Sequence, residues 1–327
     1  MKRAVSALTV LAALLLAGCG GPIAHVVVAV RDEDGSAVTN VEVGVGTYVR
    51  RIPGLGSSAI AQVEKRTDTN GYARLTIPSR RGDLYIGMQP TEGFYYDRGT
   101  ELRMTHTRGR HWQPWGQTNV LVVRRIVNPI PMYAMRFGGN VPVNGKPVGF
   151  DLMKGDWVEP YGRGSVPDFV FHAEWTSFGR NEHRVLRFDA KINLTFSNEG
   201  DGVFEVRIPR HSSPRGSVYR MPRRSPADGF TPRLSWVEYE NDEGHSALEP
   251  EDLNYFIRVR TQRDASGNIV SGHYGKIHGP IQFWVNDGGA TFHMTYYLNP
   301  TPNDLNTEFE PKRNLLKFGD SRRVNEP

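Results

Sequence analysis

The chain has 327 residues and a formal net charge of +5, with 40 basic and 35 acidic side chains interspersed. So mild and mixed a balance gives no case for nucleic acid as a partner. One cysteine in the whole length excludes an internal disulfide, and no apolar run reaches the about 20 residues that a membrane-spanning helix needs.

Lys2 and Arg3 precede an apolar run from Ala4 to Ala17, and small residues lead to Cys19. Charged start, apolar middle and small-residue end are the plan of an export signal. Leu16-Ala17-Gly18-Cys19 resembles a bacterial lipobox. That resemblance implies cleavage before Cys19, diacylglycerol on its thiol and acylation of the freed amine, palmitate among the chains. Residues 1–18 are then the signal peptide and residues 19–24 a lipidated tether, and loss of Lys2 and Arg3 leaves a charge of +3. Gly20 and Gly21 follow the cysteine, with no Asp there. By resemblance to lipoprotein sorting in diderm bacteria, this favours the outer membrane, with the membrane itself as a partner through lipid on Cys19.

From His25 the pattern is β. His25–Arg31 runs into Asp32-Glu33-Asp34-Gly35, Val41–Val45 alternates, and Asp68-Thr69-Asn70-Gly71 turns into Tyr72–Ile77. Further strands are expected at Leu84–Met88 and Asn119–Ile126, a spacing that indicates an antiparallel sandwich. The Asp-x-Asp-Gly and Asp-x-Asn-Gly segments read as turns, because those residues tolerate positive φ. An EF-hand loop starting at Asp32 would need Glu at its twelfth position, where Val43 stands. The early strand, the Asp-x-Asp-Gly turn, the Val-rich strand and Thr67–Leu75 together resemble the carboxypeptidase-regulatory-like (transthyretin-like) β-sandwich. The resemblance covers residues 25–126 and implies a structural or adhesive Ig-like module with no active site of its own. In the segment Thr105–Trp115, His111, Trp112 and Trp115 stand among arginines. They form either a binding edge for sugar rings, peptide or anions, or a cap on the sandwich.

Two prolines in Val127–Tyr133 mark a linker, placed at residues 127–140. Residues 141–298 are expected as a second antiparallel sandwich or jelly-roll, and residues 299–327 as a polar tail wrapping the surface. Leu186–Phe196 alternates strictly and is expected to turn through Ser197–Gly202 into Val203–Ile208. Two more hairpins are expected, Tyr255–Thr261 with Ile269–Ile277, and Ile281–Val285 with Ala290–Leu298. The whole is all-β. The linker and the segment Tyr297–Asp304 resemble parts of uncharacterised exported bacterial proteins, which implies no chemistry.

Candidate chemistry is sparse. His172 and Glu174 share a strand face and suit a base with its orienting carboxylate, or two metal ligands. His273, His278 and His293 match no metal-binding spacing, so neither a metal nor a cofactor is expected. Nucleophile motifs and phosphate-binding glycine loops are absent from the sequence. Glycosidases need only two placed carboxylates, for which Asp151, Asp156, Glu159 and Glu174 are available. The expected function is a lipid-anchored envelope protein that binds or scaffolds. The alternatives are an envelope glycan hydrolase and a carbohydrate-binding protein using Trp112, Trp115, Trp157 or Trp175; the partner is envelope glycan or another envelope protein.

Overall fold

The computed structural model describes residues 21–51, 58–89, 92–95, 99–208, 219–246, 249–317, 319 and 321–327. Cys19 lies outside them. The chain divides into two compact units, Met1–Val127 with His211–Tyr219, and Asn128–Arg210 with Arg220–Pro327. Apart from one short 3-10 turn at Pro311–Arg313, the regular elements of the described residues are strands.

The first unit contains β1 (Ile23–Arg31), β2 (Glu42–Arg51), β3 (Ser58–Arg66), β4 (Tyr72–Pro78), β5 (Asp83–Met88), β6 (Phe94–Tyr95), β7 (Thr100–Arg103), β8 (His106–Arg108), β9 (His111–Gln113), β10 (Gln117–Val122) and β11 (Arg124–Arg125). β10 and β4 flank β1, parallel and antiparallel respectively, and the β8–β9 hairpin joins the same sheet where Ile23 meets His111. The facing sheet runs β3-β2-β5-β7. Alternation sends Val26, Val28 and Val30 from one sheet, and Val43, Val45, Leu84 and Ile86 from the other, into a shared core. Both acidic segments are turns. Asp32 accepts the amides of Asp34 and Ser36, and Asp68 those of Asn70 and Tyr72. Gly71 has φ +74, and a Cβ there would lie 2.8 Å from the Val30 carbonyl, so only glycine fits. Tyr219, far along the chain, also belongs to this unit and stacks on Tyr95 at 5.0 Å.

The second unit contains β12 (Tyr133–Asn140), β13 (Pro147–Asp151), β14 (Asp156–Trp157), β15 (Phe169–Arg180), β16 (Leu186–Phe196), β17 (Gly202–Arg207), β18 (Arg233–Asn241), β19 (Gly244–His245), β20 (Leu253–Arg263), β21 (Ile269–Ile277), β22 (Gln282–Asn286) and β23 (Gly289–Leu298). One sheet runs β14-β13-β15-β16-β18-β19, the other β12-β23-β21-β20-β17 with β22 beside β23. Their facing sides meet in an aromatic core that includes Phe150, Phe171, Phe292 and Tyr296. The protein is therefore two successive β-sandwiches.

Three sequence expectations need correction here. β16 and β17 are not a hairpin: β16 pairs with β15 and β18, while β17 crosses to the opposite sheet and pairs with β20. The turn between them carries Gly200 at φ +91, which serves a sheet-to-sheet crossing as well as a hairpin. Residues 133–140 are not linker but β12, eight residues antiparallel to β23, with Met135 and Phe137 in the core. The tail after Leu298 is not merely polar wrapping. It buries Phe309 and Val324 with Met132, Ala134 and Tyr297 in a separate cluster. Asn314 takes the Ala134 amide on its side-chain oxygen and returns its NH2 to the Ala134 carbonyl, and the Arg322 carbonyl accepts from the Arg136 amide. The tail thereby covers the open edge of β12, which would otherwise present unpaired backbone groups.

Candidate functional site

The most exposed aromatic arrangement of the first unit lies where β1 begins. The β8–β9 hairpin holds the start of the strand through the Ile23 amide, which donates to the Arg110 carbonyl at 2.7 Å. Trp112 turns inward from β9. Its indole N–H donates to the Ser79 carbonyl at 2.7 Å, and it packs against the core and over Gly82, where a Cβ would lie 2.9 Å from the ring. Trp115 turns outward and is 45% exposed. It stacks on His25 at 5.1 Å, and His111 meets it edge-on at 4.6 Å. His25 is itself held, with its Nδ1 2.9 Å from the Thr76 hydroxyl. Of the trio taken from the sequence, Trp112 is a cap, while His111 and Trp115 are presented. His25 was missed, since nothing in its sequence neighbourhood connects it with residue 115. Trp157 is buried in the core of the second unit, and Trp175 is half-buried beside Gly289.

His172 and Glu174 do share a face of β15, with Nε2 and Oε1 3.4 Å apart and the carboxylate well exposed. Their register neighbours on β16 are Asn193 and Lys191. Asn193 is occupied, its side-chain oxygen accepting from Arg233 and Ser235. Glu174 is exposed with Lys191 opposite it, whereas His172 Nε2 is buried and makes no hydrogen bond among the described residues.

Of the other carboxylates named from the sequence, Asp151 and Asp156 are engaged in holding the fold. Asp151, at the end of β13, accepts the amides of Met153, Lys154, Ser165 and Val166, and the Arg260 guanidinium at 2.8 Å. Arg260 also donates to Asp168 at 2.7 and 2.9 Å, so one arginine of β20 ties two carboxylates of the facing sheet. It projects from an irregularity in the β20–β21 pairing and has φ +57, with Asp201 accepting the amides of Arg260 and Thr261. Burial pushes the Asp168 carboxyl above its usual range, against the pull of Arg260. Burial would lower the Arg260 value, but Asp168 and Asp151 outweigh it and hold the guanidinium charged. Asp156 accepts the Arg163 amide and side chain. Glu159 precedes a cis proline, in the irregular segment after β14.

A carboxylate group missed from the sequence lies at the β17–β18 side of the second unit. Burial raises the pKa of Glu238, despite a hydrogen bond from the Ser246 hydroxyl, and the nearby Glu249 adds to the rise. Burial also raises Glu249, with the Glu205 charge adding and a hydrogen bond from Trp236 opposing. No sequence motif marks these residues, because their coupling arises only when β17, β18 and the segment before β20 come together.

His273 Nδ1 lies 3.1 Å from the Asn299 carbonyl oxygen, and His293 packs edge-on against Trp284 above Gly138. Burial lowers the pKa of His293. Among the described residues, no group of three or more His, Cys, Asp or Glu is placed to hold a metal ion.

No family model matches the sequence, and a search of curated proteins finds no match. Among solved structures, 3-chlorocatechol 1,2-dioxygenase from Rhodococcus opacus 1CP is 13% identical, over 32% of this chain and 61% of that one, with a TM-score of 0.24. This chain thus spans less than two-thirds of the dioxygenase's length. BcpA, the major pilin subunit of Bacillus cereus, is 11% identical over 88% of this chain and 99% of that one, with a TM-score of 0.23. Likeness at this level assigns neither chemistry nor assembly to the protein.

Proposed function

We propose that this protein is a lipid-anchored binding or scaffolding protein of the bacterial cell envelope, held in the outer membrane by acyl chains on Cys19. Its first sandwich is read as a transthyretin-like (carboxypeptidase-regulatory-like) module, on the turn and strand pattern of residues 25–126. The observation that carries the non-catalytic reading is the engagement of Asp151 and Asp168 by Arg260 and backbone amides. Asp151, with four amides and the Arg260 guanidinium on its two oxygens, has no lone pair left to take a substrate proton, and Asp168 is tied to Arg260 through both oxygens. The short lead from Cys19 to Ile23 suits an anchor, since it leaves the sandwich no room to stand far from the bilayer.

The test has two parts. Cys19→Ser should leave the membrane fraction, and the purified protein should turn over neither envelope glycans, peptides nor esters. Sedimentation of the Ser variant with membranes even after a high-salt wash would place the anchor elsewhere.

A second reading, an envelope glycan hydrolase using the second unit, is favoured by Glu238 and Glu249. Burial and a neighbouring carboxylate raise both groups, which is the direction a general acid requires. Glycan turnover abolished by Glu249→Gln, with folding intact, would promote that reading over the first.

A further inference from the structure

We infer that the end of the first unit around Trp115 is a membrane-docking surface, resting in the headgroup layer of a bilayer that contains anionic phospholipid. The inference rests on the Cys19 anchor proposed above and adds an orientation to it.

The tether is short. Only Gly20, Gly21 and Pro22 separate Cys19 from β1, and an extended chain covers at most about 3.6 Å per residue. A lipid on Cys19 therefore brings whatever surrounds Ile23 within roughly 15 Å of the acyl-chain boundary. What surrounds it is defined by the backbone. The Ser79 amide donates to the Pro22 carbonyl, the Ile23 amide donates to the Arg110 carbonyl, and a Cβ at Gly21 would lie 3.4 Å from Arg80 Cγ. The turn after β4 and the tip of the β8–β9 hairpin are thus the two structures flanking the anchor.

The surface around the tether is basic and aromatic. Those flanking turns carry Arg80, Arg81, Arg108 and Arg110, all exposed. The acidic group in the same region, Asp83, already faces Arg103 at 3.8 Å. Beside the arginines stands Trp115, 45% exposed and held by His25 and His111 rather than by the core. A tryptophan with an apolar body and a polar N–H favours the membrane–water interface, and each arginine near an anionic leaflet adds about 1 kcal/mol, or about fivefold in binding. Pre-positioning of the indole by two imidazoles limits the entropy lost on docking. One surface thus combines the short tether, the interfacial aromatic and the basic rim.

The test uses the lipidated full chain reconstituted in vesicles of phosphatidylethanolamine and phosphatidylglycerol, some bearing brominated acyl chains. Tryptophan emission should be quenched by the bromines, and Trp115→Phe should remove most of that quenching. The paired reversals Arg80→Glu with Arg81→Glu, and Arg108→Glu with Arg110→Glu, should also reduce it. In the unacylated chain the same reversals should weaken binding to these vesicles by about fivefold per arginine, with no effect on phosphatidylcholine vesicles. Full quenching retained in Trp115→Phe would overturn the inference while leaving the anchor intact. Cys19 free of lipid, with Trp115 still quenched by added anionic vesicles, would refute the anchor and keep the docking surface. A Trp115 emission shift with solubilised peptidoglycan fragments but none with vesicles would make the platform a glycan site and overturn the inference. The exposed arginine reversals keep the question open to decision should Trp115→Phe fail to fold.

Discussion

In the first unit the buried core cluster is aliphatic throughout its described residues, valines from β1 and β2 meeting Leu75, Ile77, Leu84 and Ile86. In the second, Phe137, Phe150, Phe171 and Phe292 stack or meet edge-to-face at centroid distances from 4.3 to 6.2 Å. The second unit also buries a charged group, Arg260 with Asp151 and Asp168, whereas the ion pair of Asp32 in the first unit has its arginine half exposed. The contrast teaches where each unit keeps its aromatic and ionic side chains. The second invests them inside, as fold determinants. The first fills its core cluster with aliphatic side chains, buries the stacked pair Tyr95 and Tyr219 outside that cluster, and leaves Trp112 and Trp115 at one end.

The largest expected effect comes from Arg260→Ala, which strands two buried carboxylates and should destabilise the second unit by about 3–5 kcal/mol. The counterpart Arg125→Ala, at an exposed arginine, should cost the first unit about 1 kcal/mol or less. Chemical denaturation following each unit's transition measures both, and equal losses would break the contrast. Next, Phe292→Ala should cost about 3–5 kcal/mol, against about 2 kcal/mol for Val28→Ala, where two methyl groups are lost from an aliphatic core. Comparable values would mean that the aromatic core holds the second unit no more firmly than a single valine holds the first.

Acid should separate the units by sign. Burial raises the Asp32 carboxyl, but the Arg125 hydrogen bond and the amides of Ser36 and Asp34 outweigh it, so the folded value lies below 3.8. Its contribution to stability is present above pH 3.8 and is lost as pH falls through the lower folded value. Glu238 and Glu249 lie above 4.5 when folded, so the native second unit retains protons that the unfolded chain releases. Their contribution therefore declines as pH rises from 4.5 through the folded values. Unfolding midpoints followed from neutral pH into acid should show the second unit gaining where the first gains nothing, and Glu238→Gln should blunt that gain. The smallest effect is expected at Trp115→Ala, within about 0.5 kcal/mol in stability, because the ring packs on histidines at the surface.

Much of the architecture is legible in the sequence. The strict alternation of Leu186–Phe196 is read directly as β16, and Asn286-Asp287-Gly288-Gly289 marks the hairpin that joins β22 to β23. Partnership was less legible than strand identity. The Ser197–Gly202 turn looks the same locally whether the chain doubles back or crosses to the other sheet. The Arg260 network was invisible for a related reason, since it joins residues that only tertiary folding brings together. Trp112 and Trp115 show the limit at the candidate site. They are three positions apart, and nothing in the sequence says that one enters the core while the other faces out beside His25.

The central claim is an envelope protein anchored at its N-terminus, and mass spectrometry of the mature N-terminal peptide tests it most directly. The account predicts a peptide beginning at Cys19, heavier than its sequence by diacylglycerol on the thiol and an acyl chain on the amine. A mature protein retaining residues 1–18, or one beginning elsewhere with an unmodified Cys19, would contradict it.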